Sequence, residues 1–188
     1  MKRIILILIL VVFSVSCGND SKKTDSSAGN NTQVEEHEKE LSIDSKDLKE
    51  LLSKTTLLTE AEFKEVFPKS IRGLALDDEV EIINQQGYAE YGNGKITLAI
   101  HDCAGKNSGM ATMFGTAYNI KKHDVDDIKY SNQKRDAIKT INTYRANRNQ
   151  SDIVFLHNNR WYVNLSGKTM NPDELWEAFD LNALKNFK

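Results

Sequence analysis

The folded part of this sequence has no cysteine pair to bridge, no surplus of basic charge, no metal-ligand spacing and no glycine-rich phosphate loop. Each absence removes a class of function. The 188 residues contain two cysteines, Cys17 and Cys103. Cys17 lies ahead of the folded part, so Cys103 has no partner within it and no disulfide frame is expected. The formal net charge is −2, and residues 41–188 hold 21 acidic against 20 basic side chains. A nucleic-acid binder usually carries a basic excess, so that class is set aside. His37, His101, His123 and His157 lie in different segments and enter no HxxxH, CxxC or HExxH spacing. His123-Asp124-Val125-Asp126-Asp127 offers oxygen ligands but lacks the glycine and closing Glu of a calcium loop. It reads as a solvated acidic loop. The glycines at 92, 94, 105, 109 and 115 form neither GxGxxG nor a Walker loop. No metal or cofactor is expected.

What is present begins at the first residue. Met1-Lys2-Arg3 is basic, and Ile4 to Phe13 is an unbroken apolar run. Ten residues are too few to span a bilayer as a helix and suit the core of a signal peptide. Ser14-Val15-Ser16-Cys17 follows and resembles the lipobox of bacterial lipoproteins, with Ser14 where Leu is usual. The resemblance implies cleavage after residue 16 and acylation of Cys17, whose lipid would insert in a membrane. Without the first 16 residues, the chain has 23 basic and 27 acidic residues. Residues 17–42 are polar and low in complexity, and segment 17–40 holds six acids and three bases. Such a stretch cannot bury enough surface to fold and reads as a flexible tether. Gly18 stands where an Asp would resemble an inner-membrane retention signal. The expected address is therefore the bacterial cell envelope, lipid-anchored at the outer membrane.

Residues 43–188 are the length of one domain and can bury a core without disulfides or metals. Leu48, Leu51 and Leu52 have helical spacing, so a helix starts near Asp44 or Ser45. Thr59-Glu60-Ala61-Glu62 matches a capping box, and Pro68 stops the helix behind it. The period then changes from 3.6 to 2. Strands are expected around Val80–Ile82, Tyr88–Tyr91 and Lys95–His101, with Gly92-Asn93-Gly94 as the hairpin turn. Gly109 to Tyr118 reads as a helix rich in small residues. Further strands are expected at Ile128–Ser131, Ile138–Ala146, Asp152–Leu156 and Arg160–Ser166, with Asp152–Leu156 central and Trp161, Val163 and Leu165 inward. Asn171-Pro172-Asp173-Glu174 is a strong helix start, and Leu175, Trp176 and Phe179 form its buried stripe. With no βαβ alternation and no fixed repeat, the expected class is α+β. It is a two-layer arrangement of antiparallel hairpins covered on one face by helices.

Residues 88–105 run aromatic, glycine turn, alternating strand, then Asp-x-x-Gly, before a small-residue helix. Asn159-Arg160-Trp161-Tyr162-Val163 precedes a Leu-rich C-terminal helix. Together these resemble a pattern in bacterial lipoproteins of uncharacterised function, over about residues 60–186. The resemblance implies compartment and fold class and brings no catalytic residues.

His101-Asp102-Cys103 is the one cluster that suggests chemistry. A thiol nucleophile needs a base to hold it ionised and a carboxylate to orient that base. In a strand, His101 and Cys103 share one face and Asp102 takes the other. The plainer reading is a strand end with a small buried cysteine and a turn-forming Asp. Lys134, Arg135, Arg145, Arg148 and Arg160 offer an anion patch if hairpins gather them; the plainer reading is edge protection. Met110, Met113 and Phe114 interleave with Gly109 and Gly115. Close helix–sheet packing would explain the glycines, and a Met-lined surface for an envelope protein or small apolar ligand is the alternative. The expected function is a lipid-anchored, non-enzymatic binding module. Its rivals are a thiol-dependent enzyme using Cys103 and His101, and a purely structural envelope component.

Overall fold

The computed structural model describes residues 44–188, which belong to the compact unit 41–188. The expected signal segment, Cys17 and the expected tether lie outside the described residues. Helix α1 spans Ser45–Ser53 and α2 spans Glu60–Val66. Two short strands follow, β1 (Ser70–Ile71) and β2 (Leu74–Ala75), paired through a turn at Arg72-Gly73. Next come β3 (Glu81–Ile83), β4 (Gln86–Tyr91) and β5 (Ile96–Asp102), then α3 (Gly109–Asn119). The chain continues through β6 (Ile128–Arg135), β7 (Ile138–Arg145), β8 (Gln150–His157) and β9 (Trp161–Lys168), and then α4 (Pro172–Ala178). A 3-10 turn, Leu181–Leu184, comes last.

Seven strands form one sheet in the order β3-β4-β5-β9-β8-β7-β6, with every neighbouring pair antiparallel. The class is α+β, as the hairpin pattern implies. Two meanders, β3 to β5 and β6 to β9, meet at the central β5–β9 pair. The middle strand is β9, and β8, expected to be a central strand, is interior between β9 and β7. Because β6 is the far edge, α3 and its flanking loops carry the chain from the middle of the sheet to its rim.

Alternation along β5 and β9 separates the two faces. On the first face, Leu98 opposes Leu165, Ile100 opposes Val163 and Asp102 opposes Trp161. This face carries the main core, which also takes in Phe63 and Phe67 from the α2 region and Leu175, Trp176, Phe179, Leu184 and Phe187 from the C-terminal part. Trp161 packs between Phe63 and Phe187, with ring centroids 5.7 and 5.1 Å away, while Trp176 meets Phe155 edge-on at 5.5 Å. Trp161, Val163 and Leu165 are buried as expected, but the rings on Trp161 come from α2 and the C-terminal tail.

The second face is not bare. Leu48 and Leu52 of α1 join Cys103 and Ala111 in a smaller cluster, with Met110, Leu156 and Tyr162 packed against it. The two-layer core is present, and α1 and α3 add a partial third layer behind it.

The predicted helix starts at Thr59 and Asn171 form full capping boxes, with Glu62 and Glu174, and Asp44 caps α1 by accepting from the Lys46 amide. Other boundaries move. Gln86 and Gly87 belong to β4, and the turn sits at Asn84-Gln85, both with positive φ. Strand β6 runs four residues beyond Ser131, because Asp136-Ala137 makes a two-residue turn at φ 47° and 65°. Gly167 lies inside β9, not after it.

Candidate functional site

The centre of the molecule where β5 ends beside the start of β9 brings together the residues that sequence reasoning singled out. Asp102 is buried on the first face and faces Trp161. Its carboxylate accepts two parallel hydrogen bonds from Arg160, Nε to Oδ1 and Nη2 to Oδ2, each 2.8 Å. Oδ1 also accepts from the Ala104 amide at 3.0 Å. The Arg160 guanidinium lies 4.4 Å from the Trp161 ring centroid, and its Nη2 donates to the Thr56 carbonyl at 3.1 Å. This bidentate, stacked arrangement suits Arg and would not be reproduced by Lys. It ties the loop before α2 to the sheet. Both Asp102 oxygens are thus engaged on the first face, away from His101 on the other.

His101 and Cys103 lie on the second face, as alternation requires. Cys103 is fully buried among Leu48, Leu52 and Ala111. Burial pushes its thiol up to about 11. Its Sγ is 3.9 Å from the His101 carbonyl oxygen, a backbone contact and not one to the imidazole. His101 is half-buried, opposite Tyr162 on one side and Gln86 on the other. Burial lowers its pKa, and the charge of Asp102 opposes that shift. Its Nε2 is enclosed without a hydrogen-bond partner among the described residues. A neutral, enclosed thiol is a poor nucleophile. What this geometry does is fill space under α1 and α3.

The three candidate binding residues on α3 do not converge. Phe114 is buried, edge-on to Tyr162 at 6.4 Å. Met110 packs partly buried against the second cluster. Met113 points the other way and is 67% exposed. The expected reason for the α3 glycines fails. A Cβ placed on Gly109 or Gly115 meets nothing within 4 Å. Close helix–sheet approach occurs instead on the first face, where a Cβ on Gly87 would sit 2.5 Å from the Phe67 ring and one on Gly167 2.6 Å from Leu175. Nothing in the structure explains Gly115.

The suspected anion patch is dispersed. Arg135 pairs with Asp173 at 2.7 Å and stacks on Trp176, Arg145 pairs with Asp152, and Arg160 is taken by Asp102. Among the described residues, no group of three His, Cys, Asp or Glu side chains is placed to hold a metal. The Asp124 carboxylate accepts from the Tyr130 amide and so guards the edge of β6.

Two cavities escaped sequence reasoning. One, of about 230 Å³, lies between the loop before α2 and the β3–β4 turn, and includes Glu60, Gln85 and Asp102. The other, of about 510 Å³, lies around Arg72, Arg135, Asp136 and Trp176. Its walls come from segments up to about a hundred residues apart, and no local pattern announces them. The buried carboxylate of the first, Asp102, is already paired with Arg160. The second is open and carries mixed charge. Neither aims a set of unpartnered groups at one point.

No family model, curated protein or solved structure matches this chain.

Proposed function

We propose that this protein is a bacterial envelope lipoprotein: it is exported, cut before Cys17, acylated there and held at the outer membrane, where its α+β domain serves as a non-enzymatic binding module. The observation that carries the reading is the order of residues 1–17: two bases, ten apolar residues, three small-side-chain positions and a cysteine.

The state of Cys103 supports the non-enzymatic half. The thiol is enclosed, its pKa is raised by burial, and its Sγ contacts the His101 carbonyl oxygen at 3.9 Å. Iodoacetamide should label Cys103 slowly in the native chain and quickly after denaturation. Rapid native labelling that titrates well below the free-thiol value of about 8.5 would restore the enzyme reading.

The anchor is tested by growing cells with a clickable fatty-acid analogue. Wild type should take up the label, and Cys17→Ser should not. Equal labelling of both proteins would sink the assignment.

A further inference from the structure

We propose that the outer side of α3 and the loop after it form a docking surface for anionic phospholipid headgroups, so that the domain rests on the bilayer that anchors it. The proposal builds on the lipoprotein reading above.

Apolar exposure is concentrated there. Six large hydrophobic side chains are exposed among the described residues. Three of them, Met113, Ile120 and Val125, fall within thirteen residues of sequence, and Leu51 lies on α1, which packs on α3. Met113 and Ile120 are seven residues apart, on one side of the helix and its end. No residue of α2 or α4 is among the six.

Charge surrounds these side chains with the right sign. Lys121 and Lys122 follow Ile120 directly and are exposed. Residues 121–148 hold eight lysines and arginines against four aspartates; Arg135 and Arg145 are taken by Asp173 and Asp152, which leaves six bases, and one of the aspartates, Asp124, is bonded to the Tyr130 amide. The rest of 41–188 has 12 bases and 17 acids. Lys122 Nζ lies 5.3 Å above the Tyr130 ring, and Lys139 Nζ lies 5.8 Å above Tyr118. Helix α3 itself carries no charged residue. The helices of the opposite face are acidic: Glu60, Glu62 and Glu65 on α2, and Asp173, Glu174 and Glu177 on α4. An anionic surface would attract the α3 side and repel the other.

The place where the chain enters agrees. Twenty-six residues separate Cys17 from Asp44, which caps α1. A segment of that length reaches at most about 90 Å, so a lipid on Cys17 would keep the domain within reach of the bilayer. The anchor thus holds the domain near the bilayer at a local concentration that makes a weak surface contact effective. It attaches through α1, the helix that packs on α3. A lysine ring around scattered apolar tips fits headgroups better than a protein partner, because the centres of protein interfaces are depleted in Lys.

The test uses the chain from residue 17 onward with Cys17→Ser, which keeps all of unit 41–188 and carries no lipid. It should co-sediment with phosphatidylglycerol–phosphatidylcholine vesicles at low salt, and not with phosphatidylcholine alone. Binding should fade as salt rises from 50 to 500 mM. Lys121→Gln with Lys122→Gln should weaken it about twenty-five-fold, taking about five-fold per charge. Met113→Ser with Ile120→Ser should weaken it further at fixed charge. Lys185→Gln, after the final 3-10 turn, should change nothing. Absence of binding to anionic vesicles, or binding indifferent to both double variants, overturns the surface, and a protein partner for it then takes its place. Fatty-acid labelling of Cys17 is read separately: labelling without vesicle binding removes the docking surface alone, and vesicle binding without labelling removes the anchor alone.

Discussion

The two faces of the sheet do different work. The first is a thick aromatic core in which Phe63, Phe67, Trp161 and Phe187 pack ring against ring under α2 and the C-terminal tail. The second holds a small cluster around Cys103 and two of the three enclosed polar atoms without partners among the described residues, His101 Nε2 and Asn164 Oδ1, the third being Asn142 Oδ1 on the first face; Ile83 and Tyr88 of the sheet, Leu51 of α1 and Met113 of α3 are exposed on the second side. A face that packs tightly is held by its own side chains. A face covered loosely, and studded with apolar tips and lysines, has capacity left for something outside the domain.

The largest expected effects fall on the first face and at the seam between the central strands. Trp161→Ala should lower unfolding free energy by about 3–5 kcal/mol in a denaturant melt. A loss below about 1 kcal/mol would show that this face is not the main core. Asp102→Ala should cost a similar amount, about 3–5 kcal/mol, because it strands the Arg160 guanidinium with only the Thr56 carbonyl and the Trp161 ring. If Arg160→Met added to that variant restores stability, the penalty lies in the abandoned charge. If it deepens the loss, the pair itself held the loop before α2.

A glycine pair separates the faces with smaller changes. Gly167→Ala drives a methyl toward Leu175 and should cost about 1–3 kcal/mol. Gly115→Ala enters open space on α3 and should stabilise by up to about 1 kcal/mol through helix propensity. Two equal losses would mean that α3 approaches the sheet as closely as α4 does.

The smallest effect is in pH. Burial lowers the pKa of both His101 and His157, so below their ordinary value of about 6.5 the unfolded chain binds more protons than the native one. Stability from these groups is complete above that value and is lost as pH falls through it toward the lowered native values. The melting temperature should drop between pH 7 and pH 5, and His101→Gln with His157→Gln should reduce the drop. An undiminished slope would assign it to the carboxylates.

Much of this fold was legible locally. The capping boxes at Thr59 and Asn171, the Asn-Gly turn and the alternation of β5 each need only neighbouring residues to declare themselves. The turn at Asp136-Ala137 lacks the usual Asn-Gly or Asp-Gly chemistry, which is why β6 was read too short. The Asp102–Arg160 pair spans 58 residues and depends on β5 lying beside β9, a pairing that no window of sequence contains. The glycines of α3 suggested close packing because a helix interior disfavours them. Only the positions of neighbouring atoms show that the close approaches are at Gly87 and Gly167.

The most direct test of the lipoprotein account is the intact mass of the protein extracted with detergent from cells that express it. The account predicts a chain that begins at Cys17 and carries a diacylglyceryl thioether with a further acyl group on its amine, while Cys17→Ser keeps residues 1–16 or is cut without lipid. A wild-type chain with an unmodified Cys17, or with its N-terminus elsewhere, would contradict it.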